Sequence, residues 1–300
     1  MRKEYSIQIR GMNCTLGQKT WLMGILNITP DSFSDGGLYY NKQNAVKRGL
    51  QLIEEGADIL DIGGESSRPG SDPITAEEEK KRILPVLSEI RKQTDTFISV
   101  DTTKSEVLKA ALDQGADILN DISGMRFDPK MLELASEKNI PVVIMHMKGT
   151  PKNMQKRPKY ENVVEEIKTF LKKRVKTALK TGIKKNKIII DPGIGFGKRL
   201  KDNLKIIGNL SSFNELDLPI LIGVSRKSFI GNLLNVTPDQ RIEGTIASSL
   251  VSVLQGAHIL RSHDIASLKK AVIVTEAIMN EADLNPSSEE KRKDKMLHVG

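Results

Sequence analysis

The sequence predicts an α/β fold, a closed (β/α)8 barrel with a β-hairpin at its N-terminus. Three observations carry this prediction. Eight short apolar runs alternate with amphipathic stretches from Trp21 onward, and uninterrupted apolar runs of that length are strands buried on both faces, as in parallel sheets. Eight such units close a barrel that typically takes about 250 residues. Polar residues also stand at the C-terminal end of nearly every run. In a closed barrel those ends ring a single mouth. In an open doubly wound sheet, the competing architecture, they would spread along a line and could not all reach one ligand.

The elements follow in order. Residues 5–20, YSIQIRGMNCTLGQKT, alternate apolar and polar side chains around turns at Gly11 and Gly17. They read as a hairpin positioned to plug the bottom of the barrel. The strand runs are 21–26, 57–62, 97–101, 116–121, 141–146, 187–191, 219–223 and 257–261. Helical patterns occupy 44–57, 76–92, 104–116, 161–182, 241–257 and 264–280. Gly56 and Gly115 supply C-terminal stops, the acidic start of 76–92 favours a helix N-terminus, and Pro85 is expected to kink or split that helix. No linker interrupts 21–282, so the organisation is an N-terminal hairpin (1–20), one TIM barrel (21–282) and a charged, aperiodic tail (283–300) expected to be disordered.

Composition excludes several classes. The single cysteine, Cys14, permits no internal disulfide and no Cys-rich zinc site. No apolar run is long enough for a membrane span, and the N-terminus has no secretory apolar core; a cytoplasmic protein is expected. Aromatic residues are 4% of the chain, too few for a base-stacking platform. The net charge of +8 is spread widely, and its densest stretch, 168–187, reads as a solvated lysine-rich helix face. No nucleic acid and no membrane partner is therefore expected. A basic surface suits an anionic small substrate.

The chemistry-bearing motifs follow the strands. NITPDSFSDGG (27–37) has the Gly, Ser and Asp content of a mobile functional loop. DIGGESSRPGSDP (61–73) is longer than the ~4–6 residues usual for a connection, allows close backbone approach at Gly63 and Gly64, and offers the Arg68 guanidinium to an anion. DPGIGFGK (191–198) fails both common phosphate-loop patterns: the Rossmann spacing puts Lys198 where a third Gly is needed, and the Walker spacing puts Pro192 and Arg199 where Gly and Ser/Thr are needed. Its glycines instead let the chain bend over a flat ligand while Asp191 points into the mouth. GVSRKSFIG (223–231) puts Ser225 or Ser228 near a helix N-terminus, and RSHD (261–264) adds Arg261 and His263, in the loops where this fold often binds phosphate. The histidines lack zincin spacing, His146 at a strand end reads as structural, and no nucleophile elbow is present.

These segments together, MGILNITPDSFSDGG, GGESSRPG, VDTTKSEV, NDISG, MHMKGTP, DPGIGFGK, GVSRKSFIG and RSHDI, resemble the dihydropteroate synthase family, in order and over roughly 21–280. Two positions depart from the family's usual pattern: Ser67 stands where Thr is usual, and Ile194 where Phe is common.

The resemblance implies a transferase of folate biosynthesis that joins 6-hydroxymethyl-7,8-dihydropterin diphosphate to 4-aminobenzoate. It implies Asp191, Asp101 and Asn120 as hydrogen-bond partners of the pterin, Lys227 at the ring's acceptor atoms, and Met145 and Phe196 as apolar walls. It assigns Arg261 and His263 to the leaving diphosphate, and Ser67 to the boundary of both substrates. Phe33, Arg68, Pro69 and Ser228 would receive 4-aminobenzoate, Asp35 would stabilise a cationic methylene, and Asn27 would ligate Mg2+. A homodimer is the family expectation. A pterin-binding methyltransferase domain, which shares the barrel and needs no diphosphate site, is the nearest alternative; a basic nucleic-acid-binding protein is the non-enzymatic one.

Overall fold

The computed structural model describes residues 2–29 and 38–282. Phe33 and Asp35, and the tail 283–300, lie outside the described residues.

The chain begins with an antiparallel hairpin, β1 (Tyr5–Ile9) and β2 (Met12–Leu16), in register from Tyr5↔Leu16 to Ile9↔Met12. Arg10 and Gly11 form its two-residue turn, both at positive φ (48° and 76°). That conformation matches the twist of the flanking strands. Alternation buries Ile7, Ile9 and Leu16 on one face, which packs on Trp21, Met23, Ile59, Ile118, Val143, Ile189, Leu221 and Ile259. These are inward-facing residues near the starts of the barrel strands, so the hairpin closes the bottom of the barrel, as the sequence suggested.

The barrel strands are β3 (Trp21–Asn27), β4 (Ile59–Gly63), β5 (Phe97–Asp101), β6 (Ile118–Asp121), β7 (Val142–Met145), β8 (Ile188–Asp191), β9 (Leu221–Ile222) and β10 (Ile259–Ser262). All pair in parallel, and each neighbours the next in chain order from β3 to β8. The last strand pairs with the first, Ile259↔Trp21 through Ser262↔Gly24, which excludes an open sheet. Between β8 and β9 the contact narrows to a parallel bridge, Ile190↔Ile220, with the Ile190 N–H donating to the Pro219 carbonyl at 3.0 Å.

Helices α1 (Leu38–Glu54), α2 (Ala76–Arg91), α3 (Ser105–Asp113), α4 (Met131–Glu137), α5 (Val163–Lys180), α6 (Leu200–Gly208), α7 (Ser228–Leu234), α8 (Ile242–Leu254) and α9 (Ile265–Ala282) follow the strands. Six of them match the helical patterns of the sequence. The expected split at Pro85 does not occur: α2 runs through it unbroken. Pro85 sits on the exposed face, where water can satisfy the carbonyl its missing N–H leaves behind. Thr75 caps this helix by accepting from the Glu78 N–H at 3.2 Å. Helices α4 and α7 span 7 residues each, too short to show a clear period, and α6 spans 9.

Strand alternation divides the apolar residues into two cores. Leu22, Leu60, Ile98, Leu119, Ile144, Ile190, Ile222 and Leu260 face the helices and form the large core between the two layers. The alternate residues point into the barrel. Near the bottom these are the apolar residues under the hairpin; one step of the strand period higher they become polar.

Candidate active site

Stepping two residues along a strand moves from the apolar plug to the mouth: Ile59 to Asp61, Ile118 to Asn120, Val143 to Met145, Ile189 to Asp191, and Ile259 to Arg261; on β5 two such steps lead from Phe97 through Ser99 to Asp101. Successive residues of a strand face opposite ways, so each pair shares the inner face. Register then sets the polar residues side by side. Asn27 pairs with Gly63, Gly63 with Asp101, and Asp101 with Asn120, a single row across four strands. Gly63 is the gap in that row. A Cβ there would lie 3.4 Å from the Asp101 Cβ and 3.7 Å from the Asn27 Oδ1.

Arg261 ties the row together. Its Nε donates to Asp61 Oδ2 at 2.6 Å and its Nη2 to Asp101 Oδ2 at 2.8 Å. Asp61 is fully buried, accepts a second hydrogen bond from Asn120 Nδ2 at 3.0 Å, and keeps Oδ1 without a partner. Burial pushes the Asp101 carboxyl up, against the pull of Arg261. Burial likewise opposes the charge on Arg261, but Asp61 and Asp101 outweigh it and raise the guanidinium's pKa. In the free protein Arg261 is thus a spoken-for cation, held by two carboxylates.

Asp191 lies at the end of β8, 5% exposed. Its Oδ1 accepts the Gly193 N–H at 2.6 Å. Burial raises its pKa to about 6, while that hydrogen bond and the charges of Lys227, Lys198 and Arg261 work the other way. The segment after it makes the bend the glycines predicted. Gly193, Gly195 and Gly197 have φ of 70°, 83° and 66°. A Cβ on Gly193 would lie 2.0 Å from the His146 carbonyl oxygen, so only glycine fits. This bend buries Phe196 beside Met145, Met147, Met154 and Ile122, a small apolar wall distinct from both cores. Lys227 Nζ stands 4.1 Å from the centroid of the Phe196 ring. Burial, then Arg261, lowers the Lys227 pKa to about 8.

His263 is held from behind. Its Nδ1 is 2.9 Å from Ser225 Oγ, and its own N–H donates to the same oxygen at 3.2 Å. Burial and the nearby Arg261 depress its pKa to about 3, so it is a neutral imidazole at pH 7. Ser228 is exposed at the start of α7. Ser67, Arg68 and Pro69 lie on the loop after β4. Lys104 anchors the base of that loop by pairing with Glu65 and the buried Glu79. Its tip is tied by Gly70 N–H to the Pro151 carbonyl at 3.0 Å and by Asp72 to Lys152 at 2.7 Å. Arg68 is exposed, and its guanidinium pairs with no described residue.

The structure therefore brings Asn27, Asp101, Asn120, Met145, Asp191, Phe196, Lys227, Arg261 and His263 to one mouth. It also adds residues the sequence reading left out of the site. Asp61 was visible as a strand-end acid, but its link to Arg261 spans 200 positions. Ser225 sits on a segment already singled out. Lys198, 3% exposed, is the third: its Nζ is 3.0 Å from His146 Nδ1 and donates to the carbonyls of Phe196 (3.0 Å) and His146 (3.3 Å). Burial lowers the Lys198 pKa to about 7. The His146 ring packs edge-on to Phe170 at 4.8 Å. Among the described residues no cluster of three His, Cys, Asp or Glu could hold a metal, and no helix is long and apolar enough to cross a membrane.

A parallel barrel with buried carboxylates, paired cations and an apolar side wall at its C-terminal mouth defines a barrel enzyme built for a flat polar heterocycle, and residues 23–263 match the family described as pterin binding enzyme. The dihydropteroate synthase of Escherichia coli (strain K12) is 44% identical over 259 residues, 86% of this chain and 92% of the relative. Dihydropteroate synthase from Xanthomonas albilineans, solved with 4-aminobenzoic acid, superposes with a TM-score of 0.87 at 42% identity, over 92% of this chain and 99% of that one. The same organism's enzyme in complex with 7,8-dihydropteroate gives 0.80 at 41% identity, over 88% and 96%. The chain belongs to the dihydropteroate synthase family.

Proposed function

We propose that the chain condenses 6-hydroxymethyl-7,8-dihydropterin diphosphate with 4-aminobenzoate, giving 7,8-dihydropteroate and diphosphate. One observation carries the residue-level reading: a buried carboxylate, Asp191, shares the barrel mouth with the Asn120–Asp61–Arg261–Asp101 network. The pterin edge presents an N–H beside an NH2, and one carboxylate accepts both. Asn120 and Asp101 offer further polar partners. Lys227 reaches the ring's acceptor atoms, and Phe196 and Met145 supply the apolar wall. A buried site of this kind discriminates strongly against analogues that leave its polar groups unpaired.

The reaction breaks the bond from the pterin methylene carbon to the diphosphate oxygen. It forms a bond from that carbon to the aminobenzoate nitrogen, which loses a proton. Arg261 and His263 stabilise the charge gathering on the leaving group. Asn27 fits a Mg2+ ligand: a neutral carboxamide oxygen at the mouth, next to the Gly63 gap, suits an ion that keeps waters and binds substrate phosphate oxygens. When bound, Mg2+ would neutralise diphosphate charge. The aromatic amine is unprotonated at pH 7, so no strong base is required. Arg68, with Ser67, Pro69 and Ser228, receives the aminobenzoate; by family pattern alone Phe33 is assigned to the same side and Asp35 to the cationic methylene.

We further infer that diphosphate departs before the amine attacks. Positional isotope exchange in labelled dihydropterin diphosphate, without aminobenzoate, tests this order; unscrambled label would count against it. The assignment as a whole is tested by a coupled assay for diphosphate. Release only when both substrates are present supports it, whereas pterin binding without any turnover would point to the methyltransferase alternative. A homodimer is supported by an apolar outer face on α8 and α9, where Val251, Leu254, Ile273, Val274 and Ile278 are all more than two-fifths exposed. Sedimentation of Leu254→Glu as a monomer, against a wild-type dimer, is the expected result.

A further inference from the structure

His263 makes two contacts with one hydroxyl, and the hydrogen count around that hydroxyl is constrained. The backbone N–H of His263 can only donate, so Ser225 Oγ accepts it, at 3.2 Å. Ser262 Oγ donates to the same oxygen at 3.4 Å and itself accepts the Asp264 N–H at 3.1 Å. With both lone pairs of Ser225 engaged, its own hydrogen has one short acceptor left, His263 Nδ1 at 2.9 Å. An oxygen offers one O–H donor and two acceptor sites, so the alternative, Nδ1–H donating to Ser225, would turn the Ser225 hydrogen towards Ser262 along the longest contact in the chain. Ser225 is 5% exposed and Ser262 1%, so no bulk water competes for these hydrogens. His263 Nε2 has no hydrogen bond to a described residue.

We propose that Ser225 is a positioning residue that fixes His263 in the tautomer carrying its hydrogen on Nε2, turning the ring's outer nitrogen into a donor. A histidine's tautomer is set by the bond its inner nitrogen makes. The consequence for catalysis rests on the assignment of His263 to the leaving diphosphate. An Nε2–H donates to an anionic oxygen; a bare Nε2 lone pair would repel it. Burial, then the nearby guanidiniums of Arg261 and Arg226, keeps the ring neutral, so the tautomer, not protonation, decides which face it shows.

Long-range 1H–15N correlation on protein labelled with 15N-histidine reads the tautomer directly, with His263 assigned through the spectrum of His263→Gln. Wild-type protein at pH 7 should show the Nε2–H pattern. An Nδ1–H pattern overturns the proposal, and this arm needs no Ser225 variant to fold. Ser225→Ala should shift the His263 signals towards a tautomer mixture and raise KM for the dihydropterin diphosphate about tenfold, with KM for 4-aminobenzoate unchanged. Ser225→Thr, which keeps the hydroxyl, should restore both. Signals unchanged in Ser225→Ala also overturn it. A changed tautomer with unchanged diphosphate kinetics upholds Ser225 as the positioning group and removes His263 from the diphosphate site.

Discussion

Asp191→Asn separates what the carboxylate does for the substrate from what it costs the fold. Asp191 is 5% exposed and titrates at about 6 in place of the ordinary 3.8, chiefly because burial disfavours its charge. A gap of roughly two pKa units corresponds to about 3 kcal/mol of destabilisation by the ionised form. The sign follows from proton binding. Between 3.8 and 6 the folded protein holds this proton more tightly than the unfolded chain, so stability falls as pH rises through that window and the full cost is present above it. Asparagine has the same shape, and its Oδ1 can still accept the Gly193 N–H. Near pH 8 the variant should therefore be more stable by about 3 kcal/mol. At about 2.1 cal/mol/K of unfolding entropy per residue, this is a rise of about 5 °C in Tm for 300 residues. At pH 3.5 the two proteins should melt together. Scanning calorimetry of the ligand-free proteins at both pH values reads this, and isothermal calorimetry should show pterin affinity lost in the variant. A wild-type protein more stable than Asp191→Asn at pH 8, or a gap that does not change with pH, would refute the reasoning.

Three more outcomes follow from the same geometry. Pterin affinity should weaken about tenfold per unit below 6, as Asp191 gains the proton that blocks double acceptance, and the loss should vanish in Asp191→Asn; calorimetry from about pH 4.5 to 6.5 checks it. Gly193→Ala puts a Cβ 2.0 Å from the His146 carbonyl at a φ of 70°, so it should lose at least ~2 kcal/mol and most pterin affinity together, by denaturant melts and binding. Leu16→Ala opens the fully buried hairpin plug and should cost about 2–5 kcal/mol while leaving both KM values unchanged in the folded protein.

Most of the barrel was legible because buried parallel strands and their polar ends are written locally. Asp101, Asn120, Asp191 and Arg261 each close an apolar run, and the two-residue strand period puts them on the inner face without tertiary information. The short helices α4 and α7 were not legible, since seven residues hold barely two turns of any period; α6, as long as the legible α3, was hidden in the stretch that follows the glycine-rich segment 191–198. The split expected at Pro85 is absent because a proline on an exposed helix face costs less than its local chemistry implies. Asp61 shows the other limit. Its position was readable, but its place in the site depends on which side chain reaches it from the far end of the chain. Lys198 closed the very segment tested for phosphate-loop spacing, yet only the fold reveals that its ammonium is turned inward onto His146.

These cases share a cause in how the barrel interior is divided. The same inner face that buries Ile59, Ile118, Ile189 and Ile259 under the hairpin buries Asp61, Asn120, Asp191 and Arg261 one step higher. Apolar burial at the bottom favours folding, while desolvated charge at the top opposes it. The protein holds the second in place with Arg261 across two acids, Gly193 on Asp191, and Ser225 behind His263. Each of these contacts restrains a group that would otherwise turn to solvent or pair elsewhere, and each leaves an atom over: Asp61 Oδ1, the second oxygen of Asp191, His263 Nε2. A mouth evolved only for stability would replace these groups with leucines. Their retention, opposite a plug that could stabilise the barrel without them, is the physical signature of a site that orients ligands at the expense of fold stability.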